Sequence, residues 1–318
     1  MSSKHVVIIP YFSEEEVDRF LKIADCMQRF GPQRCDYEFL LASSPLIQPS
    51  ERLFDAFHEI APTKVFACPT KMFGYPQGPT AMFWDCADHL ARDSSNDGGF
   101  GLWLESDMVP VKPDWLQRIA AEWERCDDPL VMGCFVPDVM KHRFIRRKRP
   151  WISEHINGGA CYAKNFAKVI PDSYRHSTFD VAIYPFLKEN GRFVATPLLA
   201  FSTVDKCRSD MADPRKAILH GFLQDKDVFV EKCVQPLLPN EQRFRESSPI
   251  MFATKSWLTR MKLRFLKRGK EAMLQALLLE QESLWRSGAL DDFAAPPETY
   301  KIAFPATRQQ YRDKKRAA

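Results

Sequence analysis

No stretch of this 318-residue chain approaches the roughly 20 consecutive apolar residues that a membrane-spanning helix needs. The opening "MSSKHVVIIPYF" lacks the long apolar core and small-residue cleavage site of a signal peptide, which predicts a cytoplasmic protein without stable membrane insertion. Nowhere among the nine cysteines, spread from Cys26 to Cys233, is there a C-x-x-C pair. Their odd number and scatter argue for reduced, packing thiols rather than a disulfide framework or a zinc clamp. Net charge is scarce as well, at +4, so an anionic partner must be argued from where the charges sit. Internal repeats and low-complexity tracts are missing. The glycine-rich "GGFG" at 98–101 precedes a strand instead of joining a strand to a helix, which argues against a dinucleotide oxidoreductase.

What the chain does have is enough apolar residues, 45%, to bury a sizeable core, and this excludes a disordered protein. Seven β-type runs fall in the first two hundred residues: "HVVIIPYF" (5–12), "YEFLLAS" (37–43), "KVFACPT" (64–70), "FGLWLES" (100–106), "LVMGCFV" (130–136), "GGACYA" (158–163) and "RFVATPLLAFST" (192–203). Several are apolar without alternation, as strands covered on both faces must be. Between them, "SEEEVDRFLKIADCMQRFG", "GPTAMFWDCADHLARD" and "PDWLQRIAAEWERCDD" carry helical spacing, the first with a serine N-cap and a closing glycine. This rhythm predicts an α/β fold with a mostly parallel sheet flanked by helices, whose ligands sit at the carboxyl ends of the strands. Residues 1–235 would form that domain. Residues 236–318 would be a helical, basic extension packed on it, ending in a mobile tail.

Within "GLWLESDMVP" an apolar run stops at Glu105 and Asp107, one residue apart. Residues i and i+2 of a strand project to the same side, so both carboxylates can enter the crevice, where hard oxygen donors suit Mg2+ or Mn2+ bridging a diphosphate. A solvated turn before a proline is the competing reading of such a pair. In "KAILHGFLQDKD", His220 follows a short apolar run; it is either a structural turn residue or the imidazole that completes the cation site.

With this E-x-D pair and late histidine the chain resembles a GT-A glycosyltransferase over roughly residues 5–230. "LWLESDMVPVKPDWLQRI", "HINGGACYAKN" and "STFDVAIY" further resemble the phage and kinetoplastid glycosyltransferases related to the base J glucosyltransferase. That group attaches a sugar to a hydroxymethylated pyrimidine in DNA. Its members often read W-L-E-P-D where Ser106 stands here, a departure that leaves both acids in place. The resemblance implies a nucleotide-sugar donor such as UDP-glucose, with Asp107 and His220 on the cation and Glu105 supporting it or touching ribose. It further implies a donor site bordered by Pro10 and Tyr11, with Tyr11 as a stacking surface, and by the loop 71–83 with Gly74 and Gln77. Gly158 and Gly159 would leave room for the sugar, and Asn157 would hydrogen-bond acceptor hydroxyls. Loop 71–83 reads equally as a Pro/Gly connector, and the 157–159 segment as a tight turn. Asp180, in the first turn of a helix capped by Ser177 or Thr178, is either the base that deprotonates the acceptor or a dipole-favoured acid.

Three basic stretches are candidates for phosphate contact. "KHRFIRRKRPW" (141–151) has six Lys or Arg and no acid, "KSWLTRMKLRFLKRGK" (255–270) has seven and no acid, and "RQQYRDKKRAA" (308–318) has five against one Asp. Lys141, Arg143, Arg146, Arg147, Lys148 and Arg149, with Phe144 and Trp151 interleaved, fit duplex DNA carrying 5-hydroxymethylcytosine or 5-hydroxymethyluracil. The second stretch, with Trp257, Leu258, Met261 and Phe265 on one helical face, could lie on an anionic membrane, but its continuation "EAMLQALLLEQESLW" reads as a core-packing helix and favours docking on the domain with the cations exposed. A glycan or lipid-linked acceptor, and a non-catalytic nucleic-acid-binding protein, are the alternatives these residues leave open.

Overall fold

Apolar side chains on both sides of a strand require a layer of protein against each face, and the first strand shows how that demand is met. In β1 (His5–Tyr11), Val7, Ile9 and Tyr11 enter one hydrophobic cluster while Val6 and Ile8 enter another. The computed structural model describes residues 3–72, 74–93, 98–136, 154–175, 178–221 and 225–237. After β1 come α1 (Glu14–Phe30), β2 (Tyr37–Ser43), α2 (Glu51–His58), β3 (Thr63–Ala67), α3 (Gln77–Asp93), β4 (Phe100–Trp103), β5 (Met108–Pro110) and α4 (Trp115–Arg125). Then follow β6 (Val131–Val136), β7 (His155–Ala163), α5 (Phe166–Val169), α6 (Phe179–Asn190), β8 (Phe193–Ala195), β9 (Leu199–Phe201), α7 (Cys207–Ala212), β10 (Ile218–His220) and α8 (Lys226–Val234).

The main sheet has seven strands in the order β3-β2-β1-β4-β7-β6-β8. Its neighbouring strands are parallel except where β7 runs against both β4 and β6. Helices α1, α2 and α4 cover one face through Phe20, Phe57 and Trp115, and α3, α5 and α6 cover the other through Phe83, Phe166 and Ile183. The mostly parallel α/β architecture expected from the sequence is therefore present. The strands grow outward from β1 to β3, and the chain then crosses to place β4 on the other side of β1. That reversal opens a crevice at the carboxyl ends of β1 and β4, the place where open α/β sheets bind ligands.

Several expectations need correction. "RFVATPLLAFST" is two strands, β8 and β9, in different sheets. Pro197 between them has no N–H to continue a ladder, and the chain bends there. β9 joins β5 and β10 in a second, three-stranded sheet. Helix α2, capped by Ser50, lies where the sequence reading placed no element. Thr178, not Ser177, stands at the N-cap of α6, and its side chain makes no cap bond. The helical extension from 238 onward, the stretches 141–151, 255–270 and 308–318, and Ser177 lie outside the described residues. Among the described residues no helix is long and apolar enough to cross a membrane.

Close backbone approach fixes the start of β4. A Cβ added to Gly99 would stand 2.1 Å from the carbonyl oxygen of Lys4, a main-chain atom with no rotamer to retreat into. Gly99→Ala should therefore cost about 1–3 kcal/mol, as overpacking does. A fall in the midpoint of urea unfolding at unchanged slope would report it.

Candidate active site

The two acids leave the sheet together because the backbone turns on them. Leu104 N–H still donates to Ile8 O (3.0 Å), and Met108 N–H then donates to Glu105 O (2.9 Å), closing a four-residue turn. Glu105 and Asp107 thus project from a turn at the crevice, not from strand alternation as the sequence reading supposed. β5 begins at once and pairs antiparallel with β10, setting His220 opposite Met108, while Gly221 N–H donates to Asp107 O (3.1 Å). Register alone therefore delivers His220 to Asp107 from more than a hundred residues away. Its Nε2 lies 3.4 Å from Asp107 Oδ1 and 3.6 Å from Glu105 Oε2. One ligand atom from each of the three residues falls within 4.8 Å of the others, a donor set of two carboxylates and an imidazole that fits Mn2+ or Mg2+.

Lys226, which the sequence reading missed, completes the cluster. Gly221 lets α8 come close, since a Cβ there would meet the ring of Phe229 at 2.4 Å. Asp225 caps α8 by accepting from the N–H groups of Asp227 and Val228, and Lys226 Nζ reaches 3.0 Å from Asp107 Oδ1. Asp107 is 2% exposed, and burial by itself would raise its pKa; His220 and then Lys226 overcome this and hold the carboxyl at about 2. Burial pulls His220 the other way, but Asp107 and then Glu105 push its pKa up to about 9.

Helix α1 braces both segments. Arg19 is buried and donates to Ser106 Oγ (3.1 Å) and to Asp227 Oδ1 (2.8 Å), one residue beyond Lys226. Ser106 in turn donates to Glu16 Oε1 (3.2 Å), whose other oxygen accepts from Phe12 N–H (2.9 Å). Ser106 is thus the anchor of the acid pair.

A second carboxylate, largely but not fully buried, stands nearby. Asp180, in the first turn of α6, accepts from its neighbour Val181 N–H (2.9 Å) and from Gly158 N–H, and its Oδ2 is 3.8 Å from His155 Nε2. Burial raises its pKa; His155 opposes the rise and Glu105 adds to it. Gly158 lies between the two carboxylates, for a Cβ on it would meet Glu105 Oε1 at 3.3 Å and the ring of Phe179 at 2.9 Å. Tyr75 is 66% exposed; its hydroxyl is hydrogen-bonded to the Thr178 side chain, and the charges of Asp180 and Glu105 reach it.

Other expected residues fare differently. Tyr11 is 0% exposed and its hydroxyl accepts from Ser50 N–H (3.1 Å), so it presents no face to a base. Phe12, just past the carboxyl end of β1, is 48% exposed. Pro10 remains a ladder residue opposite Ala42. Gly74 takes a left-handed φ of 74° in the exposed loop beside Tyr75, and Gln77 starts α3 on the surface. The space beside Gly159 is occupied by Met108, whose Sδ would lie 2.2 Å from an added Cβ. Asn157 is buried, and its amide oxygen accepts from Gly159 N–H (2.9 Å), a local bond that shapes the strand. Lys141, Arg143, Arg146, Arg147, Lys148, Arg149 and Trp151 lie outside the described residues. Lys226 stands six residues after His220, next to the capping Asp225, but a lysine in an exposed-looking loop gives no signal until a buried acid is placed against it.

No protein-family model and no curated protein matches the chain. Among solved structures, it is similar to mouse xyloside xylosyltransferase 1 in its apo form (TM-score 0.43, 9% identity, 69% of this chain and 98% of that one). It is also similar to the glycosyltransferase GlyE of Streptococcus pneumoniae TIGR4 (0.43, 13%, 80% and 66%). A third is the galactosyltransferase LgtC in complex with donor and acceptor sugar analogs (0.43, 10%, 75% and 99%).

The Asp107–His220 pair links stability to pH. His220 has a folded pKa of about 9 against an ordinary 6.5, so its contribution is complete below about 6.5 and disappears as pH rises through about 9. In EDTA, the stability difference between wild type and His220→Gln should therefore shrink from pH 6.5 to 9.5. Urea midpoints at the two pH values measure it.

Proposed function

We propose that this protein is a metal-dependent glycosyltransferase that moves a hexose, glucose from UDP-glucose, onto the hydroxymethyl group of a modified pyrimidine in duplex DNA. The observation that carries the reaction class is the meeting of Glu105, Asp107 and His220 in one cation-sized cluster at the topological switch point, with Lys226 against it. Two carboxylates and an imidazole fit a divalent cation bound to a diphosphate better than they fit a base-only or nucleophilic site.

In this reading Asp107 and His220 hold the cation, and Glu105 supports it from the more exposed side. The bound cation supplies positive charge to the departing diphosphate. Phe12 gives the nucleobase an aromatic surface, as the buried Tyr11 does not. Asp180, its proton affinity raised by burial, accepts the proton of the attacking hydroxyl at a carboxylate oxygen, and His155 behind it steadies the carboxylate. The DNA acceptor is supported by sequence: the run "KHRFIRRKRPW" joins β6, which ends at Val136, to β7, whose first residue His155 adjoins Asp180. Cations tethered at that point suit a phosphate backbone, and Trp151 suits a displaced base.

The test is release of UDP from UDP-glucose with Mn2+, comparing duplexes containing 5-hydroxymethylcytosine or 5-hydroxymethyluracil with unmodified DNA. Turnover should require the modified base and disappear in Asp107→Asn. Asp180→Asn should lower kcat by about 10²–10⁴ with little change in the KM for UDP-glucose, the mark of a lost general base. Release indifferent to DNA would remove the DNA acceptor, and no release with any nucleotide sugar would remove the glycosyltransferase.

A further inference from the structure

Asp107 Oδ1 faces two positive groups. His220 Nε2 lies 3.4 Å away and Lys226 Nζ 3.0 Å away, and Asp107 is the most deeply buried carboxylate of the cluster. The base of the lysine is fixed on both sides, by the Asp225 cap before it and by the Arg19–Asp227 bond after it. Among the described residues its ammonium hydrogen-bonds to Asp107 alone, and a side chain 41% exposed leaves it room to turn away. Glu16 and Glu105 both act on its charge, so the ammonium has acidic company on either side of Asp107.

We propose that Lys226 is a placeholder for the divalent cation, occupying the Asp107 carboxylate until a nucleotide diphosphate arrives and then turning its ammonium to the phosphates. The inference rests on the reading of the site as a metal and nucleotide-sugar site. A divalent ion and an ammonium sharing one carboxylate oxygen repel each other, so Lys226 opposes binding of the ion alone. A diphosphate reverses the sign, because its negative oxygens attract both. Metal and nucleotide then bind cooperatively, and by linkage each strengthens the other by the same factor. A lysine that merely bound phosphate would strengthen nucleotide binding without weakening the metal, and this difference in sign separates the two roles.

The experiment is a titration with Mn2+ at fixed pH, followed through the EPR signal of the free ion, with and without UDP, on wild type, Lys226→Met and Lys226→Arg. Methionine keeps a flexible apolar stem of similar length and removes the charge; thermal melting checks that each variant is folded. Lys226→Met should bind Mn2+ alone about threefold to tenfold more tightly than wild type. Its gain in Mn2+ affinity from UDP should be smaller than that of wild type by about tenfold, within the usual range of coupling between sites. Lys226→Arg, which keeps the charge, should stay as weak as wild type toward Mn2+ alone.

If Lys226→Met binds Mn2+ alone no more tightly than wild type, or if Lys226→Arg behaves like Lys226→Met, the placeholder role is overturned. If the metal alone binds more tightly but the gain from UDP is unchanged, the transfer of the ammonium to phosphate is overturned. If wild type takes up no Mn2+ with or without UDP, the proposed function itself falls.

Discussion

A carboxylate that is 2% exposed costs several kcal/mol to keep charged unless partners replace the water it has lost. Asp107 is such a group, and most of what surrounds the crevice follows from serving it. β10 pairs with β5 so that His220 meets it, Gly221 omits a side chain so that α8 can approach, and α8 opens with the lysine that reaches it. The small second sheet has its reason here. Its three strands bury Met108, Val109, Leu199, Ile218 and Leu219 in the core, and they are also the means by which residue 220 stands beside residue 107.

Helix α1 plays the corresponding part from the other side. It buries Phe20, Ile23 and Met27 against the main sheet, as an amphipathic helix should, and also sends Glu16 and Arg19 into the gap between the acid turn and α8. Arg19 joins the two because its guanidinium donates in more than one direction at once. Ser106, flanked by the acid pair, has a hydroxyl small enough to accept from Arg19 and donate to Glu16. A proline at that place would lack this anchor. The bracing of the turn by α1 is therefore particular to the serine.

Much of the scaffold was legible because its causes are local. Strand runs apolar on both faces, the Ser13 cap and Gly31 stop of α1, and the helical spacing of α3 and α4 each appear within a short window. Glu105, Asp107 and His220 were legible as residue types, and the structure brings them together, though through a turn and a strand register that no window contains. Lys226, His155 and the bracing by Arg19 were not legible, because each depends on a partner 25 to 119 residues away. Tyr11 misled for a related reason: strand alternation decides whether a residue near a strand end faces core or crevice, and one step in register separates buried Tyr11 from exposed Phe12.

The reversed strand explains how one sheet brings a second carboxylate to the same crevice. Parallel strands present their last residues there, but β7 runs against β4, with Phe100 opposite Ala163 and Leu102 opposite Cys161, so it presents its first residues instead. Continuing that register past β4 brings Glu105 alongside Gly158, and a Cβ built on Gly158 would stand 3.3 Å from Glu105 Oε1. His155 and Gly158 then hold Asp180 of α6, which packs on the same end of β7. Glu105 thus stands between the Asp107–His220 cluster and Asp180. Its negative charge helps to raise the proton affinity of Asp180, after burial. A cation held by Glu105, Asp107 and His220 would relieve part of that rise, so the placement of a single turn would couple the ionisation of Asp180 to a cation in that cluster.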